Sequence, residues 1–255
     1  MPMIVNLRRT VAAFMLVPLM LAAMPAHAAD TNVAVAANFT EPAKEIARSF
    51  QRKTGHKAIL SFGATGQFYA QITQGAPFQV FLSADDTTPK KLVSDGLAVA
   101  ESLVTYAIGK IVLFSKDADL VKGERTLEEA KFNKLAIANP ATAPYGAAAV
   151  EVMKKLGVYD SVAPRLVQGS NISQTFQFVD TGNAELGFVA LSQVVGRPGG
   201  SRWIVPANLH APIRQDAVLL KTGADNEAAR AFVAFLKSLE ATTIVEKFGY
   251  TTNER

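Results

Sequence analysis

Four short segments hold the residues of this sequence that could best support binding chemistry. They combine hydroxyl, amide and glycine residues with almost no charge, and they are AANFTEP at 36–42, SFGATGQF at 61–68, NPATAPYGAAA at 139–149 and QGSNISQTF at 168–176. Each joins a predicted strand to a predicted helix. The first amide hydrogens of a helix lack partners within it and lie at the positive end of its dipole, so a helix start can bind an anion. Taken singly, Thr40, Ser170 and Asn171 are better explained as ordinary helix caps, and it is the four uncharged junctions together that indicate a binding site.

The charge pattern indicates which kind of anion could bind. From Leu135 to Val150 the sequence has no Asp, Glu, Lys, Arg or His. Phosphate near neutral pH carries a proton and needs an acceptor such as a carboxylate. The only acid near the four segments is Glu41, whose place in a first helical turn the helix dipole explains. A fully ionised oxyanion can be held by donors alone, so we expect such an anion.

Enzyme chemistry has little support in the sequence. There is no cysteine, which excludes disulfides, thiolate nucleophiles and Cys-ligated metals. His56 and His210 have no nucleophile motif, and neither G-x-S-x-G nor a P-loop occurs. Asp85 and Asp86 are better explained as helix caps than as a cation site, because no Glu or His follows at ligand spacing. We predict a protein that is not an enzyme and has no cofactor or bound metal cation.

The N-terminus predicts export. Arg8 and Arg9 precede the apolar run TVAAFMLVPLMLAAM and the stretch PAHAAD, the pattern of a secretory signal peptide at 1–28, cut after Ala28. The rest of the chain holds 24 basic and 22 acidic residues, a net charge of +2. These charges are scattered along predicted helices, which argues against a nucleic-acid partner. An exported chain without cysteine fits a soluble periplasmic protein.

The elements that must position the four segments alternate along the chain. Short apolar runs predict strands at 32–37, 57–62, 78–84, 134–139, 165–169 and 185–191. Each is followed by a helix candidate, and this alternation predicts a mostly parallel α/β architecture. In such a sheet the strand-to-helix junctions lie at the carboxyl ends of the strands, where ligands bind.

Two long apolar runs interrupt the alternation, LVTYAIGKIVLFSK at 103–116 and PIRQDAVLLK at 212–221. We interpret them as paired crossings between two lobes. The prediction is a bilobal α/β fold, with lobe 1 formed by 29–107 plus 217–255 and lobe 2 by 108–216. Two of the uncharged junctions come from each lobe, so they would face each other across a cleft.

At these junctions the sequence resembles the periplasmic molybdate-binding proteins of ABC transporters. The resemblance covers nearly the whole chain after the signal peptide, and its most specific parts are QGAPFQVFLSAD at 74–85 and NPATAPYG at 139–146. It implies two α/β lobes joined by a two-strand hinge, with molybdate or tungstate bound in the cleft by backbone amides and neutral side chains. It also implies a monomer that delivers the oxyanion to an ABC transporter permease in the inner membrane.

The resemblance implies the contact residues as well. They are Ala37 and Asn38 at the first junction, Thr65 at the second, Tyr145 at the third and Ile172 at the fourth. Asn38 and Thr65 would donate from their side chains, whereas the other three would contribute mainly backbone N–H groups.

Three points stay open at this stage. Some family members carry a Tyr where this chain has Ala190, and the Tyr145 phenol could substitute for it. Sulfate or another tetrahedral oxyanion would use the same donors, because a sequence does not measure a cavity. An enzyme on the same bilobal fold is the less favoured alternative, since the sequence lacks a nucleophile and a base.

Overall fold

A computed structural model describes residues 28–252, which form two five-stranded sheets flanked by helices. The signal peptide expected at 1–28 lies outside the described residues, apart from Ala28. Within the described part of the chain, no helix has the length and apolar character needed to cross a membrane.

Ten strands are found between residues 28 and 252. They are β1 (Asp30–Ala36), β2 (Lys57–Gly63), β3 (Val80–Leu82), β4 (Val104–Gly109), β5 (Ile111–Ser115), β6 (Leu135–Ala138), β7 (Leu166–Gly169), β8 (Leu186–Ala190), β9 (Ser201–Ile204) and β10 (Ile213–Leu219). The same part of the chain contains nine α-helices. They are α1 (Thr40–Thr54), α2 (Thr65–Thr73), α3 (Thr87–Ser94), α4 (Arg125–Glu129), α5 (Pro144–Lys155), α6 (Tyr159–Val162), α7 (Ile172–Asp180), α8 (Glu227–Phe235) and α9 (Leu239–Lys247).

The two sheets have the same mixed pattern of pairing. The first has the order β2-β1-β3-β10-β4, and the second has the order β7-β6-β8-β5-β9. In the first sheet β1 is parallel to β2 and β3, while β10 is antiparallel to β3 and β4. In the second, β6 is parallel to β7 and β8, while β5 is antiparallel to β8 and β9.

The expectation of a mostly parallel architecture is therefore wrong, because half of the pairings in each sheet are antiparallel. The reason is the way the chain passes between the sheets. Strand β5 enters the second sheet directly from β4, and β10 returns to the first sheet after β9. Both strands therefore run opposite to the βα units that they join. The structure also adds β9, which sequence reasoning did not predict, and a short 3-10 helix rather than an α-helix after β8.

The predicted two-strand connection between two α/β lobes is confirmed. Lys110 alone separates β4 from β5, so one crossing is nearly a continuous strand. The return crossing leads into β10, whose Ile213 pairs with Gly109 of β4. The lobe boundaries themselves stay a prediction. Strand pairing keeps residues 108–109 and 213–216, which the sequence assigns to lobe 2, in the first sheet.

Each sheet has its own hydrophobic core, and the core of the second sheet continues into the space between the sheets. Phe50 and Phe232 are fully buried beneath the first sheet. The core of the second sheet includes Phe188 and extends to small residues at strand ends of the first, such as Ala64 and Ala84. The ends of the strands therefore approach one another closely, which sets the shape of the site described next.

Candidate functional site

The structure brings the five predicted contact residues together. They line one small cavity between the two sheets, and they are Ala37, Asn38, Thr65, Tyr145 and Ile172. The volume of this cavity is about 10 Å³. One water molecule already needs roughly 10–15 Å³, so the walls must move apart to admit an anion with four oxygen atoms. Among the described residues that line the cavity, none is Asp, Glu, Lys, Arg or His.

Parallel strand pairs place the junctions side by side. Ala36 at the end of β1 pairs with Gly63 at the end of β2, so the first two junctions leave the first sheet at the same level. In the second sheet, Ala138 of β6 pairs with Gly169 of β7 in the same way. The cavity therefore lies where four helix starts meet, two from each sheet. The 3-10 helix at Ala37–Phe39 supplies the first of them.

At the third junction no side chain caps the helix, and the group left available to a ligand is a backbone N–H. Pro144 occupies the first position of α5 and has no N–H. The N–H groups of Gly146 and Ala147 donate to the Ala143 carbonyl at 2.8 and 3.1 Å. The Tyr145 N–H belongs to the first helical turn and has no acceptor within its helix. It is therefore a donor suited to an external anion.

At the fourth junction a side chain caps the helix but leaves one backbone N–H of the first turn without a hydrogen-bond acceptor in the helix. Asn171 Oδ1 accepts from the Ser173 and Gln174 N–H groups at 2.9 and 3.0 Å. This confirms Asn171 as a helix cap, and Ile172 at the first position of α7 retains an N–H without an intrahelical acceptor.

Thr65 is held in place by a neighbouring loop. Its side chain is 2% exposed, and Oγ1 accepts from the Ala84 N–H at 3.0 Å. The Ser83 hydroxyl also lies 3.4 Å from Oγ1. A threonine hydroxyl has one proton to donate, so Thr65 can serve as a hydrogen-bond donor to a ligand while these contacts orient it.

The Asn38 side chain is committed elsewhere. Its Nδ2 donates to Gln215 Oε1 at 2.8 Å and to the Tyr250 hydroxyl at 3.0 Å. An amide nitrogen has two hydrogens, and these two bonds use both. In this geometry the backbone N–H is the donor that Asn38 retains, rather than the side chain that the family resemblance implies.

The Tyr145 phenol likewise lies on the hinge rather than free in the cavity. Its oxygen accepts from Gln215 Nε2 of β10 at 3.2 Å, and the residue is 2% exposed. Burial raises the pKa of the Tyr145 phenol well above its ordinary value. The phenol therefore stays protonated and adds no negative charge beside the cavity.

Sequence reasoning missed the polar network beneath the cavity. Its centre is Gln215, which is fully buried, with Tyr106 and Tyr250 around it. The Tyr106 hydroxyl donates to the Ser83 carbonyl at 2.7 Å. A signal for this network does exist, because Gln215 and Asp216 are polar residues within the apolar run 212–221. Buried polar groups require partners.

Besides the bond from Gln215 to Tyr145, further hydrogen bonds among the described residues cross the cleft around the cavity. The Gly66 N–H donates to the Thr142 carbonyl at 2.9 Å. The Ser192 and Ser173 hydroxyls donate to the carbonyls of Asn38 at 2.8 Å and of Ala37 at 3.3 Å. These bonds hold the two sheets together on both sides of the cavity.

The charged side chains near the cleft lie in two outer clefts. The one of about 360 Å³ includes Asp85, Glu151 and Arg214. The one of about 440 Å³ includes Asp180 and Arg197, which form an ion pair at 2.7 Å. The residues that line both the neutral cavity and the cleft of about 360 Å³ are uncharged, and they are Thr65, Ala84, Ala143 and Pro144. Within residues 28–252, no cluster of three or more His, Asp or Glu side chains could hold a metal ion.

Comparisons with known proteins agree with this architecture. A family described as bacterial extracellular solute-binding protein matches residues 31–251. The molybdate-binding protein ModA of Rhodobacter capsulatus is 57% identical over 230 residues, covering 90% of this chain and 91% of its own. ModA of Azotobacter vinelandii is 56% identical over 234 residues, with coverages of 90% and 93%. The solved periplasmic molybdate-binding protein of Azotobacter vinelandii superposes with a TM-score of 0.85 at 38% identity, covering 88% of this chain and 100% of that one.

Proposed function

The chain belongs to the bacterial extracellular solute-binding proteins, and within them to the molybdate-binding proteins of ABC transporters, and we propose that it captures molybdate and tungstate for an ABC importer. The observation that carries the proposal is the neutral cavity at which four helix starts from two sheets converge. Such a cavity offers donors and helix dipoles without a protein acceptor, which suits a fully ionised oxyanion.

The proposed contacts combine those that the family resemblance implies with the hydrogen-bond donors left available at each junction. Thr65 donates from its hydroxyl, which the Ala84 N–H orients. Backbone N–H groups supply the other donors, and they belong to Ala37, Asn38, Tyr145 and Ile172. Hydrogen bonds to a charged acceptor are stronger than those between neutral groups, so a few of them suffice without an Arg or Lys.

Binding is proposed to proceed by closure of the lobes about the β4–β5 and β10 connection. The cleft opens at the hinge, admits the anion and closes over it, and the closed form is presented to the permease. No covalent chemistry takes place. The protein acts as a monomer in the periplasm after removal of residues 1–28.

Thermal unfolding in the presence of different anions tests the proposal. Molybdate, tungstate, sulfate and phosphate are added in turn to dialysed protein, with sodium chloride at equal ionic strength as the control. A ligand at a thousand times its dissociation constant adds about 4 kcal/mol, or roughly 8–16 °C in Tm for a chain of this size.

We expect this shift with molybdate and tungstate and none with phosphate. A comparable shift with sulfate alone would retain the donor cavity and replace the substrate. If none of the anions shifts the Tm, the four junctions are ordinary helix starts and the proposal fails.

A further inference from the structure

Gln215 links the two sides of the cleft through a single side chain. Its Oε1 accepts from Asn38 Nδ2 at 2.8 Å, and its Nε2 donates to the Tyr145 hydroxyl at 3.2 Å. Asn38 belongs to the first junction and Tyr145 to the third, on opposite sheets. Gln215 is not among the residues that line the cavity, so it acts on a ligand only through these two neighbours.

The backbone around Gln215 is shaped to allow this bridge. The pairing of β10 with β4 shifts register between Gln215 and Asp216, which pair with Ala107 and Thr105. Tyr106 is the extra residue of this β-bulge, and bulges re-aim side chains near functional sites. The Tyr106 hydroxyl lies 3.1 Å from Gln215 Oε1 and 2.7 Å from the Ser83 carbonyl oxygen, and its single proton can be donated to either one.

Gly109 leaves the space that the bridge occupies. A Cβ atom at Gly109 would overlap the Tyr145 hydroxyl and lie 2.6 Å from Gln215 Nε2. Gly109 is the last residue of β4, directly before the crossing to the second sheet. The contact between Tyr145 and Gln215 is thus built into the hinge itself.

We propose that Gln215 is a positioning residue of the oxyanion site, setting the separation of the first and third junctions in the closed form through Asn38 and Tyr145. This inference rests on the proposed function, since it assigns a role in that same site. Donors preorganised around an anion bind it more tightly than donors that must be ordered on binding. Removing the Gln215 amide leaves two buried polar groups without this partner and frees both junctions to shift.

The test compares Gln215→Met with Gln79→Met. Methionine keeps the length of glutamine and removes its hydrogen bonds. Gln79, a half-buried residue directly before β3, is the control, because its Oε1 accepts from the Asn32 N–H at 3.0 Å at the end of β1 remote from the cavity. Dissociation constants for molybdate are measured by calorimetry, and the Tm is measured without added anion.

We expect Gln215→Met to weaken molybdate binding roughly tenfold or more. Gln79→Met should lower the Tm and change the dissociation constant by less than about twofold. A double-mutant cycle with Tyr145→Phe adds a readout that a purely structural role would not move. In the Tyr145→Phe background, the further loss caused by Gln215→Met should fall to about threefold or less.

Several outcomes would overturn the inference. An unchanged dissociation constant for Gln215→Met, even with a lowered Tm, would reduce Gln215 to a structural role. If the losses of molybdate affinity caused by Gln215→Met and by Tyr145→Phe add fully in the double variant, Gln215 does not act through the Tyr145 phenol. If Gln215→Met does not fold, Gly109→Ala tests the same contact, and unaltered affinity in that variant would overturn the bridge.

The proposed function can fail separately. If the wild-type protein binds sulfate but not molybdate, the substrate is wrong, and the same variants measured with sulfate still decide the role of Gln215. Absence of binding to all the tested oxyanions would overturn both proposals, because a positioning residue requires a site.

Discussion

At the scale of single residues, the site depends on neutral groups that are held rigidly by other neutral groups. Thr65 is the clearest case, because its hydroxyl accepts from the Ala84 N–H and can still donate a proton. A lysine in its place would supply charge, but it would also need a partner whenever the cleft is unliganded. The buried hydroxyl avoids that cost.

The first residue-scale prediction concerns this hydroxyl. Thr65→Ala should weaken molybdate binding by about 1.5–3 kcal/mol, the range for a hydrogen bond to a charged group. Thr65→Ser retains the hydroxyl and serves as the matched control, with affinity close to that of the wild type. Calorimetric titration of the three proteins decides the matter, and equal affinity in Thr65→Ala would remove Thr65 from the proposed contacts.

At the scale of elements, the position of α5 against β6 sets the third junction. A Cβ atom at Gly146 would lie 2.7 Å from the Ala138 carbonyl carbon and 3.0 Å from the Asn139 carbonyl carbon. The helix therefore packs directly on the end of its strand. Because Tyr145 precedes Gly146, this close approach also fixes where the Tyr145 N–H points.

Gly146→Ala should accordingly force α5 away from β6. We expect a loss of about 1–3 kcal/mol in unfolding free energy, typical of overpacking, together with weaker oxyanion binding. Gly196→Ala is the control, because a Cβ there meets nothing within 4 Å, and it should change stability by less than about 0.5 kcal/mol. Denaturant unfolding compares the two, and equal stability in both variants would contradict the packing argument.

At the scale of the whole molecule, the polar network spans both sheets. Tyr106 and Tyr250 pack with the first core and Tyr145 with the second. Burial raises the pKa of Tyr106 and Tyr145 well above the ordinary value and raises that of Tyr250 to about 12. All three phenols are therefore neutral in the folded protein at physiological pH. Their ionisation would destabilise the folded state relative to the unfolded chain.

This predicts a loss of stability in alkali. Between pH 10.0, the ordinary pKa of tyrosine, and about 12, the unfolded chain loses a proton that folded Tyr250 keeps. Each such tyrosine then lowers the unfolding free energy by up to about 1.4 kcal/mol per pH unit, while below pH 10 its contribution is fully present. Urea unfolding on both sides of pH 10 measures the slope. Tyr250→Phe should make the slope shallower, and an identical slope would argue against this assignment.

The sequence by itself determined the strand-to-helix junctions, their lack of charge and the family. These features are local, because a strand run, a helix start and an uncharged turn are each written in a few consecutive residues. The five contact residues that the resemblance implied do line one cavity. Their role as ligands stays a prediction.

Only the tertiary structure decided how the junctions are held. Asn38 reaches Gln215 across 177 residues and Tyr250 across 212, and no local pattern encodes such pairs. For the same reason the sequence did not predict the antiparallel strands, whose partners depend on how the chain passes between sheets. The sequence also left the Asn38 side-chain amide as a candidate ligand. In the folded chain, both of its hydrogens are donated to Gln215 and Tyr250 in the network beneath the cavity.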